Sequence, residues 1–291
     1  MATYLGTVTK EAPSRGRPRR TSRWTYATLT LIVLVSFFPL YFMFVGASRT
    51  NDQIGQVPPP LLPGGNLFKN LSRVFGNHDA NILTGLVNSL VAAACVTVSV
   101  VFFASLAGFA FAKLRFRGAN ALLLVIIGAM MIPVQLGVIP LYLTMVRLGW
   151  NSHLEAIIVP FMVSGFGVFM MRQYAAQAVP DELIEAARVD GCNTWRMYWN
   201  VVLPALRPAA AVLGIFSFIT CWNDFFWPLV IMQDPNNPTV QISLRSLGTG
   251  YYQDYSQVFA GTFVATVPLL LVFIVFGRQI IGGIMEGAVK A

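Results

Sequence analysis

Long apolar runs alternate along this chain with short polar connections. The runs cover residues 25–46, 82–112, 121–143, 154–171, 208–232 and 258–276. About 20 apolar residues in a helix cross a ~30 Å hydrocarbon core, so each run predicts a membrane span and six spans are expected. The first run exceeds the ~7–15 residues of a signal peptide's apolar part and is read as retained. The second is longer than the core is thick, which predicts a tilted or protruding helix. Its Asn88 and Ser89 lie near the outer end, where they can contact other helices. The third run contains Pro133 and Pro140. Prolines interrupt the helical ladder, either to line a transport route or to bend the span around its neighbours. The fold class is an all-α integral membrane protein, with a helical loop on its inner side.

The connections complete this topology. Residues 1–23 are polar and basic and read as a cytoplasmic tail, leaving 24–291 as one transmembrane domain. An outer loop over 48–80 is rich in Pro, Gly and Asn, and its Leu67–Phe75 segment predicts a short helix at the membrane surface. That helix would place Leu67, Leu71, Val74 and Phe75 on one face. A second outer loop covers 233–257. Fifteen of the twenty Lys and Arg fall on the segments assigned inside: the tail, 113–117, 172–207 and the end of the chain. Arg49, Lys69, Arg73, Arg147 and Arg245 fall outside. By the positive-inside rule both termini face the cytoplasm.

Composition narrows the function. The 291 residues are 56% hydrophobic and 11% charged, with a mean hydropathy of +0.64. Soluble domains carry about 25% charge. The net charge of +8 is concentrated on inner segments and orients the protein against anionic lipid, with no sign of nucleic-acid binding. Cys95, Cys192 and Cys221 are scattered, and His78 and His153 lie in outer loops, so no metal site is expected. None of the four lysines precedes Ser or Thr, so the P-loop phosphate cradle is absent. No catalytic motif is present, and any ATP hydrolysis that drives the protein must occur on another chain.

The inner segment 179–207 predicts two helices joined by a turn. Pro180, Asp181 and Glu182 suit a helix start, where proline's fixed φ and acidic side chains are favoured. Leu183, Ala186 and Ala187 are expected on one face, Gly191 at the helix end, and Asn193 or Thr194 as the next cap. Pro204 and Pro208 are expected to stop the second helix before the fifth span. Glu185-Ala186-Ala187, then Gly191, then Val201, Leu203 and Pro204 at fixed spacings resemble the EAA loop of ABC-importer membrane subunits, with Val201 where that family usually has Ile. The resemblance implies that Glu185, Ala186, Ala187, Gly191, Leu203 and Pro204 couple the chain to a separate pair of ATP-binding subunits. ATP and Mg²⁺ would sit on that pair, with no cofactor bound here.

Asp224 is the one carboxylate placed inside a span, in Trp222-Asn223-Asp224-Phe225-Phe226-Trp227. A charge at a helix centre costs about 2.5–3.5 kcal/mol on insertion scales. Counting from Pro208 puts Asp224 roughly 24 Å up the core, in its outer third. It is either a polar group on a transport path or half of an interfacial anchor. The stretch resembles the Trp-Asn-Asp-Phe segment of carbohydrate-importer permeases, as do Leu114–Gly118, Met131–Pro133 and the Gly287–Lys290 ending. The resemblance implies a maltose-type second permease subunit for a sugar, most often an oligosaccharide, with Trp222, Asn223, Asp224 and Trp227 on the path. Its implied partners are another permease subunit, the ATPase pair and an extracytoplasmic sugar-binding protein. Rival readings are an ion-gradient transporter, which would want paired ionisable groups at mid-membrane, and a membrane assembly subunit.

Overall fold

The computed structural model describes residues 22–249 and 253–288, with side chains to residue 277. The basic tail lies almost wholly outside the described residues, and the side chains of the Gly287–Lys290 ending lie outside them too. All regular structure among the described residues is helical. Five helical segments are long and apolar enough to cross a membrane, and a bent pair makes up to six. The helices are α1 (Arg23–Ala47), α2 (Asn51–Ile54), α3 (Leu67–Phe75), α4 (Ile82–Lys113), α5 (Ala119–Met130), α6 (Val138–Arg147), α7 (Glu155–Ile158) and α8 (Gly165–Ala178). They continue as α9 (Asp181–Val189), α10 (Thr194–Met197), α11 (Leu203–Trp222), α12 (Phe226–Ile231), α13 (Val240–Leu247) and α14 (Tyr255–Ala288). The chain divides after Phe42 into two compact units. In the first, α1 exposes its side chains through Pro39. All that follows concerns the second unit.

α4 is the central element, 32 residues without a proline. Small residues on one side of it let α8 and α11 approach closely, the dominant mode of helix packing in lipid. A Cβ on Gly108 would lie 2.7 Å from the backbone of Met171 and Arg172, so no other residue fits there without moving α8. The inner core unites Phe109 of α4, Met171 and Ala175 of α8, and Leu206 and Leu213 of α11. An outer core gathers Val74, Ile82, Trp222, Val240 and Ala260. A third holds Met145, Ile157, Trp227 and Ile231.

Four segments depart from the simple reading of runs and loops. Over 121–143 the helix is broken: α5 and the segment Val134–Arg147 meet at 88°. Pro133 stands three residues beyond α5's last residue, Met130, just ahead of the turn Val134–Gly137, and lacks the N–H that would continue the ladder. Over 208–232 the helix stops at Trp222 and restarts at Phe226. The outer loop 233–257 contains a helix, α13, whose Val240, Ser243 and Leu247 are buried. α3 also turns its Val74, Leu67 and Leu71 into the outer core, while Phe68 and Phe75 stay exposed. The face expected on the membrane surface therefore packs on protein.

Candidate functional site

The inner hairpin is built by two capping devices. Pro180 takes φ −59° and ψ 145° just ahead of α9, and Asp181 and Glu182 occupy the first turn, where the helix dipole favours acid. At the other end Gly191 adopts φ +75°, the left-handed conformation. Gly191 N–H donates to Arg188 O at 3.0 Å and Cys192 N–H to Ala187 O at 2.9 Å. These are the paired bonds of a Schellman motif, with Gly191 in the position that needs positive φ. Open space surrounds Gly191, so conformation alone restricts the residue. Asn193 Oδ1 then accepts from Arg196 N–H at 2.8 Å and starts α10.

α10 does not stop at the prolines. It passes into a π-helical turn over Tyr198–Val202, which leads into α11 with Pro204 in its first turn and Pro208 inside it. Proline supplies no N–H for an α-helical bond, and the wide turn lies just where the ladder would otherwise need one. π turns of this kind are frequent at functional sites.

The six residues expected to couple the chain to a partner divide between two faces. Ile184 and Ala187 point into the inner core, and Leu203 is half-buried against it. Glu185, Ala186, Gly191 and Pro204 are exposed, as are Leu183 and Val189. Leu183 and Ala186 thus face away from Ala187, because the core takes the 184/187 stripe. Two bonds hold the hairpin to α4. Lys113 Nζ donates to Asp181 Oδ1 at 2.7 Å. The hydroxyls of Ser105 and Tyr198, both fully buried, lie 2.7 Å apart. The hydrogen bond and charge of Lys113 hold the Asp181 carboxyl below the ordinary carboxylate range. Trp195 and Trp199 flank Tyr198 at ring distances of 5.9 and 5.3 Å and leave their own outer surfaces exposed. A polar groove of about 720 Å³ runs between the hairpin and the end of α4, lined by Lys113, Arg115, Asp181, Glu185 and Arg188.

The outer break stands at the far end of α11, 20 residues or ~30 Å from the hairpin. Trp222 and Trp227 are buried, one in the outer core and one in the third. Trp222 Nε1 donates to Ala265 O at 3.2 Å, and Trp227 Nε1 donates to Ala156 O at 2.9 Å. Both indoles therefore brace the scaffold. Asn223 is exposed and Asp224 half-buried. Asp224 Oδ1 accepts from the N–H groups of Phe226 at 3.1 Å and Trp227 at 3.4 Å, which caps α12. Gln241 of α13 donates to Trp222 O at 3.3 Å and ties the break to the outer helix.

A protein-family model described as "Binding-protein-dependent transport system inner membrane component" matches residues 100–280. The chain belongs to this family. It is a multi-pass membrane transport subunit, not an enzyme. The permease is 34% identical over 266 residues to the lactose transport system permease protein LacG of Rhizobium radiobacter, covering 91% of this chain and 95% of that one. It is 32% identical to the sn-glycerol-3-phosphate transport system permease protein UgpE of Yersinia enterocolitica, covering 90% and 95%. It is 29% identical to the arabinooligosaccharides transport system permease protein AraQ of Bacillus subtilis, covering 89% and 92%. Its fold is similar to a chain in the crystal structure of a bacterial ABC transporter involved in import of the acidic polysaccharide alginate. There the TM-score is 0.76 at 23% identity, over 89% of the permease and 98% of that chain.

Two features of the permease were not evident from its sequence. α13 is short and sits among turn residues, although Val240, Ser243 and Leu247 keep helical spacing behind Thr239. The break at 223–225 is signalled only by Asn223 and Asp224, residues that favour caps over helix interiors.

Proposed function

We propose that this permease translocates a sugar, and specifically an oligosaccharide, as one of two membrane subunits of an ATP-driven importer. The hairpin 179–207 is its coupling loop. A pair of ATPase subunits, carrying ATP and Mg²⁺, docks on the face formed by Glu185, Ala186, Gly191 and Pro204, with Ala187 and Leu203 backing it from the core. Both termini face the cytoplasm. An extracytoplasmic sugar-binding protein delivers substrate from the other side.

The observation that carries this reading is the two-faced hairpin. Its inner stripe is locked into the core of the spans, and its outer stripe has apolar and acidic side chains that no described residue of this chain covers. A lever needs such a rigid back and free front. On the outer side, Asn223 and Asp224 border the sugar path between walls held by Trp222 and Trp227. With Asp224 Oδ1 engaged by two backbone N–H groups, Oδ2 remains for a sugar hydroxyl.

Purification of the intact assembly tests the docking role directly. An Ala186→Cys variant is expected to cross-link to an ATPase subunit, with an efficiency that changes on ATP binding. An assembly in which position 186 stays open to solvent-borne thiol reagents, with or without nucleotide, would contradict it.

A further inference from the structure

α4 is bonded at both ends to elements that face opposite sides of the membrane. Its inner end carries the hairpin through the Lys113–Asp181 and Ser105–Tyr198 contacts. Its outer end carries α13 and the turn that precedes it. Asn88 Nδ2 donates to Asn237 Oδ1 at 2.7 Å and to Pro238 O at 2.9 Å. Val240 N–H donates to Ser89 Oγ at 2.9 Å. A Cβ on Gly85 would come within 2.3 Å of Ser243 Oγ and 3.1 Å of the Thr239 backbone, so α13 rests directly on α4. Asn88 and Ser89 are themselves buried. From Asn88 the helix runs about 17 residues to Ser105 and about 25 to Lys113, ~25–38 Å, and none of α4's 32 residues is a proline that could absorb a displacement.

We propose that α4 is a strut that carries the hairpin's movement to α13, and that Asn88 and Ser89 are the positioning residues fixing α13 to its outer end. This rests on the coupling role of the hairpin given above. A buried, polar, short-range attachment suits the role because it is directional. Apolar packing in lipid would let the helices slide, whereas Asn88 satisfies two acceptors in one geometry. By contrast the pair α5–α6, with its 88° bend, would yield at the bend. The two attachments act in series, so weakening either loosens the outer helix from the loop.

The test uses the complete importer in proteoliposomes, with sugar uptake and ATP hydrolysis measured together. Asn88→Ala and Lys113→Met should each lower sugar moved per ATP by about fivefold or more, the low end for coupled sites, while hydrolysis persists. Ser89→Ala serves as a milder outer variant should Asn88→Ala fail to assemble. The double variant should be no worse than the poorer single one. An unchanged ratio in the outer variants, or losses that multiply in the double variant, would overturn the strut. A second measurement needs no weakened contact: spin labels at Leu83→Cys and Arg245→Cys, with Cys95, Cys192 and Cys221 replaced. Their separation should stay constant when ATP binds, and a shift of several ångströms would overturn the rigid attachment. If the wild-type assembly itself shows no ATP-driven uptake, the coupling reading fails first, and that result is distinct from wild-type uptake with indifferent variants.

Discussion

The inner hairpin and the outer break use their signature residues in opposite ways. In the hairpin, four of the six signature residues are turned outward: Glu185, Ala186, Gly191 and Pro204 are exposed while Ala187 and Leu203 hold the back. At the break, both tryptophans are turned inward while Phe225 and Phe226 stay exposed, and each indole N–H is bound to a carbonyl of another helix. A tryptophan beside a carboxylate suggests a sugar site in the sequence, yet these two tryptophans build walls. A surface meant for another protein must keep its front free, whereas a path through the membrane must first keep its walls from collapsing.

Truncating a wall should cost most. Trp227→Ala removes a buried side chain and a hydrogen bond, and large core truncations cost about 3–5 kcal/mol. Thermal unfolding of the detergent-purified assembly should drop accordingly, with the ranking of sugars unchanged in what remains. A changed ranking at normal stability would make Trp227 a contact residue and erase the contrast. Gly191→Val comes next. An ordinary residue in the left-handed region costs ~1–2 kcal/mol, and a β-branched one more. The variant should insert normally but lose about tenfold in uptake per ATP, as a strain near 1.4 kcal/mol implies. Unimpaired uptake would remove the hairpin from the mechanism.

Much of this was legible in the sequence for physical reasons. Hydropathy and the proline positions mark an all-helical membrane protein, and the fixed spacing from Glu185 to Pro204 marks the family. The direction of each side chain was less legible. Leu183 and Ala186 share spacing with Ala187, but the core selects 184 and 187, a choice made by α4 and α8 and not by the hairpin itself. Nor could spacing reveal that Trp222 and Trp227 pack into different cores, since that depends on the break between them.

Asp224→Ala should have a smaller effect on stability, about 1 kcal/mol for a lost cap. Its value lies in the second readout, relative uptake of two oligosaccharides. A shift in preference at normal assembly would place Asp224 on the sugar path; unaltered preference would leave it a cap.

The smallest effects should come from acid. Burial opposes ionisation of Asp254, but hydrogen bonds from Ser256, Gln257 and Arg73 outweigh it and hold the carboxyl below its ordinary range. Asp254 is buried and bonded to Arg73 of α3, whereas Asp181 at the inner end is largely exposed. A depressed folded value means that the stabilisation is complete above the unfolded value and is lost as pH falls through the folded one. Thermal stability should therefore hold from about pH 7 down to the ordinary carboxylate range and fall only below it. Arg73→Met should blunt that acid response, and Lys113→Met should leave it nearly unaltered because solvent screens the Asp181 pair.

The π-helical turn at Tyr198–Val202 makes chain length a rotational setting. Such a turn accommodates one residue more than an α-helical one. Inserting one residue into the ordinary helix of α11, which has no such slack, would twist everything before it by about 100°. The spans would still be greasy and still insert, but the hairpin's open side would be aimed away from whatever grips it, as a key cut correctly and then turned in its shaft.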